Sequence, residues 1–100
     1  MREFTVERLA SALQQGATLV DVREPAEYRD GHVPGAVNIP MGQLNARLGE
    51  IDRDRPVHVV CASGNRSSAM TDLLAANGFD AINVAGGTSA WLRAGRPIEK

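Results

Sequence analysis

Apolar residues in this chain follow two spacings, and each spacing predicts a different kind of element. Apolar positions three and four residues apart are typical of amphipathic helices and occur at 6–13, 41–51, 66–77 and 89–94. Short runs of β-branched and aliphatic residues are typical of buried strands and occur at 18–22, 36–39, 57–60 and 81–84. A further short helix is expected at 25–30. Helix and strand signals therefore alternate from one end of the chain to the other.

This alternation predicts the fold class and the edge at which a ligand binds. Strands that alternate with helices are typical of an α/β fold, in which a mostly parallel sheet is covered by helices on both faces. Ligands bind such sheets at the carboxyl ends of the strands. Three segments fall at the carboxyl ends of predicted strands, namely Asp21–Arg23, Cys61 and Ala85–Gly87. We expect these segments to meet at one site.

The composition excludes several classes of protein. A chain of 100 residues forms one domain, and its net charge of −1 lacks the basic excess of a nucleic-acid-binding protein. No apolar stretch approaches the ~20 residues that span a bilayer, so no membrane partner is expected. The first residues lack the apolar core of a signal peptide, and a single cysteine cannot form an internal disulfide, which fits the reducing cytoplasm. Without metal-ligand spacing or a phosphate-binding glycine motif, no metal or cofactor is expected.

The only cysteine, Cys61, lies where a predicted strand gives way to a loop and then to a helix. Free cysteines are usually small buried core residues, which is the simplest interpretation. The residues that follow favour a chemical role, because Gly64, Arg66 and Ser67 contribute nothing to an apolar core. Backbone N–H groups and the start of a helix favour the thiolate, which is the reactive form of cysteine. The pattern therefore predicts a nucleophilic sulfur beside an anion-binding loop.

Four stretches of the chain resemble the single-domain rhodaneses, a family of sulfurtransferases. They are Asp21-Val22-Arg23-Glu24-Pro25-Ala26-Glu27-Tyr28, Gly31-His32-Val33-Pro34-Gly35-Ala36-Val37-Asn38-Ile39-Pro40, the loop from Cys61 to Ser67, and Gly86-Gly87-Thr88-Ser89-Ala90-Trp91 continued to Gly95. They stand in the family's order and cover nearly the whole chain. The resemblance implies one rhodanese domain over residues 1–100, with a three-layer α/β fold and a mostly parallel, five-stranded sheet.

The resemblance also implies a persulfide mechanism. The Cys61 thiolate attacks the outer sulfur of a small anionic donor such as thiosulfate, and sulfite leaves. A second nucleophile, which is cyanide in the test tube or a small or protein-borne thiol in the cell, then removes the sulfur from Cys61. No second cysteine is present to resolve the persulfide internally, so the acceptor must be external.

The residues of the loop fit this chemistry. Backbone N–H groups along the loop can surround the sulfur as a nest surrounds an anion, and Gly64 permits the positive φ that a tight loop needs. Arg66 can bind the oxyanion end of the donor. Ser67 either donates to the same anion or caps the following helix. The predicted substrate-binding set is Ala62, Ser63, Gly64, Asn65, Arg66, Ser67 and Arg23, around the catalytic Cys61.

Three polar residues outside the loop have competing interpretations. Arg23 can add positive charge near the donor, but buried charges are usually paired, which favours a salt bridge with Asp21 that braces the loops. His32 lies in a turn-rich segment and is expected to be a hydrogen-bonded brace rather than a base. His58 precedes Cys61 by three residues, and a Cys–His dyad or metal pair is conceivable but weakly supported.

Two other functions stay open. The first is that of a tyrosine phosphatase or arsenate reductase, since the loop from Cys61 to Arg66 is similar to the tyrosine-phosphatase loop. However, four residues separate Cys61 from Arg66, whereas five separate the cysteine from the arginine in the phosphatase loop. The shorter ring suits a single sulfur atom better than a tetrahedral phosphate. The second alternative is a non-catalytic sulfur carrier or regulatory module, because carrier and enzyme differ only in how fast they turn over a small donor.

Overall fold

The computed structural model describes residues 1–100 and contains one five-stranded sheet in which every strand pair is parallel. The strands are β1 (Arg2–Phe4), β2 (Thr18–Asp21), β3 (Val37–Asn38), β4 (Val57–Val60) and β5 (Ala81–Val84), arranged in the order β1-β5-β4-β2-β3. The helices are α1 (Val6–Gln14), α2 (Pro25–Asp30), α3 (Met41–Leu44), α4 (Asn65–Ala76) and α5 (Gly87–Arg93), with a 3-10 segment at Asn45–Glu50. This architecture confirms the predicted α/β class, and no helix is long and apolar enough to cross a bilayer.

The sheet has a buried apolar layer on each face. Neighbouring residues of one strand point to opposite faces, so Val59 belongs to one cluster and Val60 to the other. One cluster contains Leu44 of α3 and Leu74 of α4, whereas the other contains residues of α1 and α5 such as Trp91. All four residues of β4 are buried, as a central strand covered on both faces requires.

Strand β1 is the one strand that the residue pattern did not predict. It pairs with β5 at the edge of the sheet, and its first two residues, Arg2 and Glu3, are exposed. A three-residue edge strand with charged side chains carries neither an apolar run nor a clear alternation. The resemblance implied five strands and was right in number, but no local signal placed this one.

The segment 41–51 was predicted as one amphipathic helix, and that prediction is wrong beyond residue 44. The α-helix ends at Leu44 and a 3-10 segment follows, within which Arg47 has non-helical backbone angles of φ −118° and ψ 21°. Gly42 and Gly49 lower the helix propensity of this segment. The buried positions of the helical pattern are nevertheless retained, since Leu44 and Ile51 both pack in the core.

Three strand ends come together as the alternation predicted. The N–H of Val22, which follows β2, donates to the carbonyl of Val60 at the end of β4 (3.0 Å). The N–H of Thr88, which follows β5, donates to the carbonyl of Cys61 (2.8 Å). The loop after β4 therefore lies between the ends of its two neighbours in the sheet.

Candidate active site

The candidate active site is the short loop that joins β4 to α4. Cys61 follows the last residue of β4 directly, and α4 begins at Asn65, so the chain reverses within a few residues. Gly64 makes the reversal with a left-handed φ of +104°, and a Cβ on it would lie 3.3 Å from the backbone nitrogen of Gly86. Both the backbone angle and the close approach require glycine at this position.

The sulfur of Cys61 accepts hydrogen bonds from the loop and from the first turn of α4. The N–H of Gly64 lies 3.1 Å from Sγ, and the hydroxyl of Ser67 lies 3.3 Å from it. Burial raises the pKa of the Cys61 thiol, but hydrogen bonds from the Ser67 hydroxyl and from the N–H groups of Ser67, Gly64 and Ser63 outweigh it. The net effect is a pKa below the ordinary value, so the loop favours the thiolate.

Cys61 is a core residue whose sulfur also accepts hydrogen bonds. It is only 1% exposed and packs in the larger apolar cluster, as the simplest interpretation of a lone cysteine expected. Its sulfur nevertheless accepts hydrogen bonds, among them those from the Gly64 N–H and the Ser67 hydroxyl, which an inert core thiol does not need. The low exposure restricts the sulfur to partners that present a slim reacting group.

Ser67 is not the cap of α4. The N-cap position is occupied by Gly64, and Ser67 is the third residue of the helix and fully buried. Its hydroxyl donates to Cys61 Sγ, and its carbonyl accepts from the hydroxyl of Thr71 at 2.7 Å. Of the two interpretations that the sequence allowed, the geometry is that of a donor to an anion.

The start of α5 holds the other side of the loop, a role that the sequence did not indicate. The N–H groups of Thr88 and Ser89 donate to the carbonyls of Cys61 (2.8 Å) and Ala62 (2.9 Å). A Cβ on Gly87 would lie 2.7 Å from the carbonyl carbon of Ala62, which leaves no room for any other residue there. With its carbonyls bound to α5, the loop is free to direct its N–H groups towards the sulfur.

Arg66 does not present a free guanidinium, contrary to the simplest expectation for an oxyanion ligand. Its two terminal nitrogens contact the two carboxylate oxygens of Glu27 in α2, at 2.7 and 2.9 Å. The hydrogen bond from Arg66 is the main cause that lowers the pKa of Glu27 to about 2. Glu27 is the site residue that sequence reasoning missed, because 39 residues separate it from Arg66.

Arg23 is paired as the loop-bracing interpretation expected. Its Nε and Nη2 contact the carboxylate of Asp21 at 2.8–3.1 Å, and Nη2 also donates to the carbonyl of Gly31 at 2.8 Å. Both side chains are nearly inaccessible to solvent. The geometry assigns Arg23 to bracing the segment between β2 and α2, and gives no direct contact with Cys61.

The two histidines lie outside the sulfur site. His32 Nδ1 is 2.8 Å from the carbonyl of Tyr28, and the two rings stack with centroids 3.7 Å apart, which confirms the brace. His58 Nδ1 is 3.2 Å from the carbonyl of Thr18, near the amino end of the sheet. Burial lowers the pKa of His58. No hydrogen bond joins His58 to Cys61, and no cluster of three or more His, Cys, Asp or Glu residues is placed to hold a metal.

The remaining loop residues contribute through their backbones. The N–H of Ser63 helps to stabilise the thiolate, and the carbonyl of Ala62 anchors the loop to α5. Asn65 is exposed at the start of α4, and its side chain makes no hydrogen bond in the site. The loop therefore acts on the sulfur mainly through N–H groups and one hydroxyl.

A cysteine whose sulfur accepts hydrogen bonds from a short loop, at the carboxyl ends of parallel strands, defines a cysteine-centred α/β protein. Residues 5–94 match the family model of the rhodanese-like domain, and the chain belongs to that family. A sulfurtransferase of Allochromatium vinosum is 40% identical over 97 residues, which are 96% of this chain and 89% of that protein. YqhL of Bacillus subtilis is 40% identical over 92 residues, which are 91% of this chain and 72% of that protein.

Solved structures agree with this membership. A rhodanese-related protein of Thermoplasma volcanium superposes with a TM-score of 0.93 at 32% identity, covering 99% of this chain and 98% of that one. A rhodanese-like domain protein of Staphylococcus aureus has a TM-score of 0.86 at 36% identity and covers 91% of each chain. The family and fold that the four motifs implied are thereby confirmed.

Proposed function

We propose that this rhodanese-like protein is a sulfurtransferase that carries sulfane sulfur as a persulfide on Cys61. The observation that supports the proposal best is the environment of the sulfur, which accepts hydrogen bonds from Gly64 and Ser67 and whose thiol has a lowered pKa. These contacts favour the nucleophilic form of the cysteine. The sulfurtransferase name of a relative that is 40% identical supports the same reaction class.

The proposed reaction consists of two displacements at sulfur. The Cys61 thiolate attacks the outer sulfur of thiosulfate, a new S–S bond forms, and the electron pair of the broken S–S bond leaves with sulfite. Cyanide or an acceptor thiolate then attacks the outer sulfur of the persulfide, and the Cys61 thiolate is restored. Dividing one transfer between two displacements is covalent catalysis. No oxidant or reductant is consumed.

The loop suits the persulfide intermediate as well as the thiolate. In the persulfide, the negative charge lies on the outer sulfur, one atom beyond Sγ. The N–H groups of the loop can stabilise this charge as well, because a nest of N–H groups binds anions without a side-chain cation. Since the chain has a single cysteine, the acceptor is a thiol of another molecule, either small or on a protein. We propose that the domain works in this way in the cytoplasm, without a nucleic-acid or membrane partner.

Two observations weigh against a phosphatase or arsenate-reductase function. Four residues separate Cys61 from Arg66, which makes a small ring, and Arg66 is already bound to Glu27 at two points. A tetrahedral oxyanion would need both more space and a free guanidinium. The same ion pair keeps the carrier alternative open, since a carrier loaded by a partner has no need to bind a small free anion.

The experiment that tests the proposal is intact-protein mass spectrometry after brief exposure to thiosulfate and then to cyanide. We expect Cys61 to gain the mass of one sulfur atom and to lose it again as thiocyanate. Cys61→Ser is the control, and it should fold normally yet gain no sulfur. Sulfur bound equally by the serine variant would refute the assignment. A slow but complete cycle would favour the carrier over the enzyme.

A further inference from the structure

The charged side chains around the sulfur form two ion pairs, within each of which the positive and negative charges cancel. Arg23 is neutralised by Asp21 through Nε and Nη2, and Arg66 is neutralised by Glu27 through both of its terminal nitrogens. The thiolate of Cys61 is therefore stabilised by neutral donors, namely backbone N–H groups and one hydroxyl. Once Cys61 is ionised, these five groups together carry a negative net charge.

Glu27 is held in place independently of Arg66. Its Oε1 atom also accepts the backbone N–H of Glu24 at 3.0 Å, which ties the carboxylate to the start of α2. The side chains of Glu27 and Arg66 are 37% and 33% exposed, so the pair lies at the rim of the site, within reach of a small solute. A two-point arginine–carboxylate contact is among the strongest hydrogen-bonded pairs in proteins.

This arrangement has a consequence for the choice of donor. An inorganic dianion such as thiosulfate must approach an ionised sulfur and finds the nearest guanidinium occupied, so it has to displace the Glu27 carboxylate or do without Arg66. An alkyl persulfide brings no oxyanion to the loop, and the form that a thiolate can attack is the uncharged acid R–S–SH, which is in equilibrium with its anion. The occupied guanidinium therefore penalises the first donor and leaves the second unaffected.

We propose that Glu27 sets the donor specificity of this site: by holding Arg66, it disfavours inorganic dianions and leaves alkyl persulfides as the preferred sulfur donors. This inference rests on the proposed function of Cys61. In the step it favours, the Cys61 thiolate attacks the outer sulfur of R–S–SH. A new S–S bond forms, the bond between the two donor sulfurs breaks, and its electron pair leaves as the thiolate R–S⁻. The proton stays on the transferred sulfur, which becomes the outer sulfur of Cys61–S–SH and then ionises to water or to the departing thiolate.

The test compares two donors in two matched variants. Glu27→Gln removes the charge that neutralises Arg66 but keeps an amide oxygen that can still accept the Glu24 N–H. Asp30→Asn removes one charge from the same helix at an exposed residue that makes no ion pair. The donors are thiosulfate and the persulfide of 2-mercaptoethanol, and the readout is the second-order rate of sulfur gain at Cys61 by mass spectrometry.

We expect Glu27→Gln to accelerate loading from thiosulfate by about tenfold, which corresponds to ~1.4 kcal/mol, and to change loading from the persulfide by less than about twofold. Asp30→Asn should change neither rate. An unaltered ratio of the two rates in Glu27→Gln would overturn the inference, and so would an equal acceleration in Asp30→Asn.

The outcomes also separate this inference from the proposed function. A wild-type protein that gains sulfur from neither donor refutes the sulfurtransferase function, and the inference with it. A wild-type protein that gains sulfur, with a ratio indifferent to Glu27, refutes the inference alone. If Glu27→Gln does not fold, Glu27→Asp repeats the test. Its shorter side chain loosens the two-point contact, so the ratio should shift in the same direction.

Discussion

The lowered pKa of the Cys61 thiol is caused by hydrogen bonds rather than by a neighbouring cation. The arginine that the sequence places five residues away is bound to Glu27, so its charge is largely cancelled where the sulfur lies. What remains is the hydroxyl of Ser67 and the N–H groups of the loop, set against the cost of burial. A hydrogen bond to a charged group contributes about 1.5–3 kcal/mol, which makes Ser67 the side chain most worth removing.

Ser67→Ala is expected to lower the rate at which Cys61 is alkylated by iodoacetamide at pH 7 by about tenfold, since the lost hydrogen bond stabilises the thiolate and not the thiol. The measurement is the alkylation rate as a function of pH, and its midpoint should move upward. Ser68→Ala is the control, because the Ser68 hydroxyl donates its hydrogen bond to Met1 Sδ (3.6 Å) and not to Cys61. A Ser67→Ala profile that coincides with the wild type would show that the hydroxyl does not stabilise the anion.

At the scale of residues, the sequence indicated the cysteine and its loop but missed the partner of Arg66. Cys61, Gly64 and Ser67 all lie within seven residues of one strand–loop–helix junction, so their closeness in the sequence is enough to place them together. Glu27 and Arg66 lie in different motifs, 39 residues apart, and their contact exists only because the ends of β2 and β4 are neighbours. Long-range side-chain pairs of this kind leave no local signal in a single sequence.

Helix α5 acts on the site through its first turn. The consecutive N–H groups of Thr88 and Ser89 donate to the carbonyls of the loop. These two hydrogen bonds require the backbone of α5 to approach the loop closely at Gly87. In the sequence, Gly86 and Gly87 were recognised as part of a family motif, but nothing in the sequence explained why glycine is needed there. The reason is a backbone-to-backbone approach that no side chain permits.

Gly87→Ala should therefore destabilise the protein more than an alanine at an equally left-handed but open position. Gly95 is the matched control, because its φ of +73° is close to the +59° of Gly87 and nothing lies within 4 Å of its missing Cβ. We expect the Gly95→Ala variant to lose about 1–2 kcal/mol of unfolding free energy to backbone strain. Gly87→Ala should lose roughly 1–3 kcal/mol more through overpacking, as measured by urea unfolding. If both variants lose the same unfolding free energy, the loop can move away from a Cβ at residue 87 without destabilising the fold.

At the scale of elements, the residue pattern succeeded where burial is regular. β2, β4 and β5 are rich in buried β-branched and aliphatic residues because both faces of the sheet are covered, and all three were predicted even though His58 and Asn83 interrupt β4 and β5. The edge strand β1 and the 3-10 segment at Asn45–Glu50 were missed. One is short and charged, and the other keeps a helical spacing of apolar residues on a backbone that is not helical throughout. Apolar spacing reports which residues are buried more reliably than it reports backbone geometry.

At the scale of the whole molecule, the candidate active-site cysteine and the buried histidine lie at opposite ends of strand β4. Cys61 follows the carboxyl end of β4, whereas His58, near the amino end of the same strand, contacts Thr18 and the ring of Phe4. His58 is 2% exposed, and its Nε2 has no hydrogen-bond partner in the protein. A buried imidazole of this kind is more stable neutral than charged, which is why burial lowers its pKa.

This separation predicts that protonation of His58 lowers the stability of the fold but does not change the pKa of the Cys61 thiol. Because the pKa of His58 is lower in the folded protein than the usual 6.5, the unfolded chain binds more protons as the pH falls below 6.5. The contribution of His58 to stability is thus present above pH 6.5 and is lost as the pH falls towards the folded pKa. His58→Leu should reduce the loss of unfolding free energy between pH 7.5 and pH 5.5, measured by urea unfolding, and leave the pH midpoint of Cys61 alkylation where it is. A midpoint that moves with His58 would revive the Cys–His dyad that the geometry argues against.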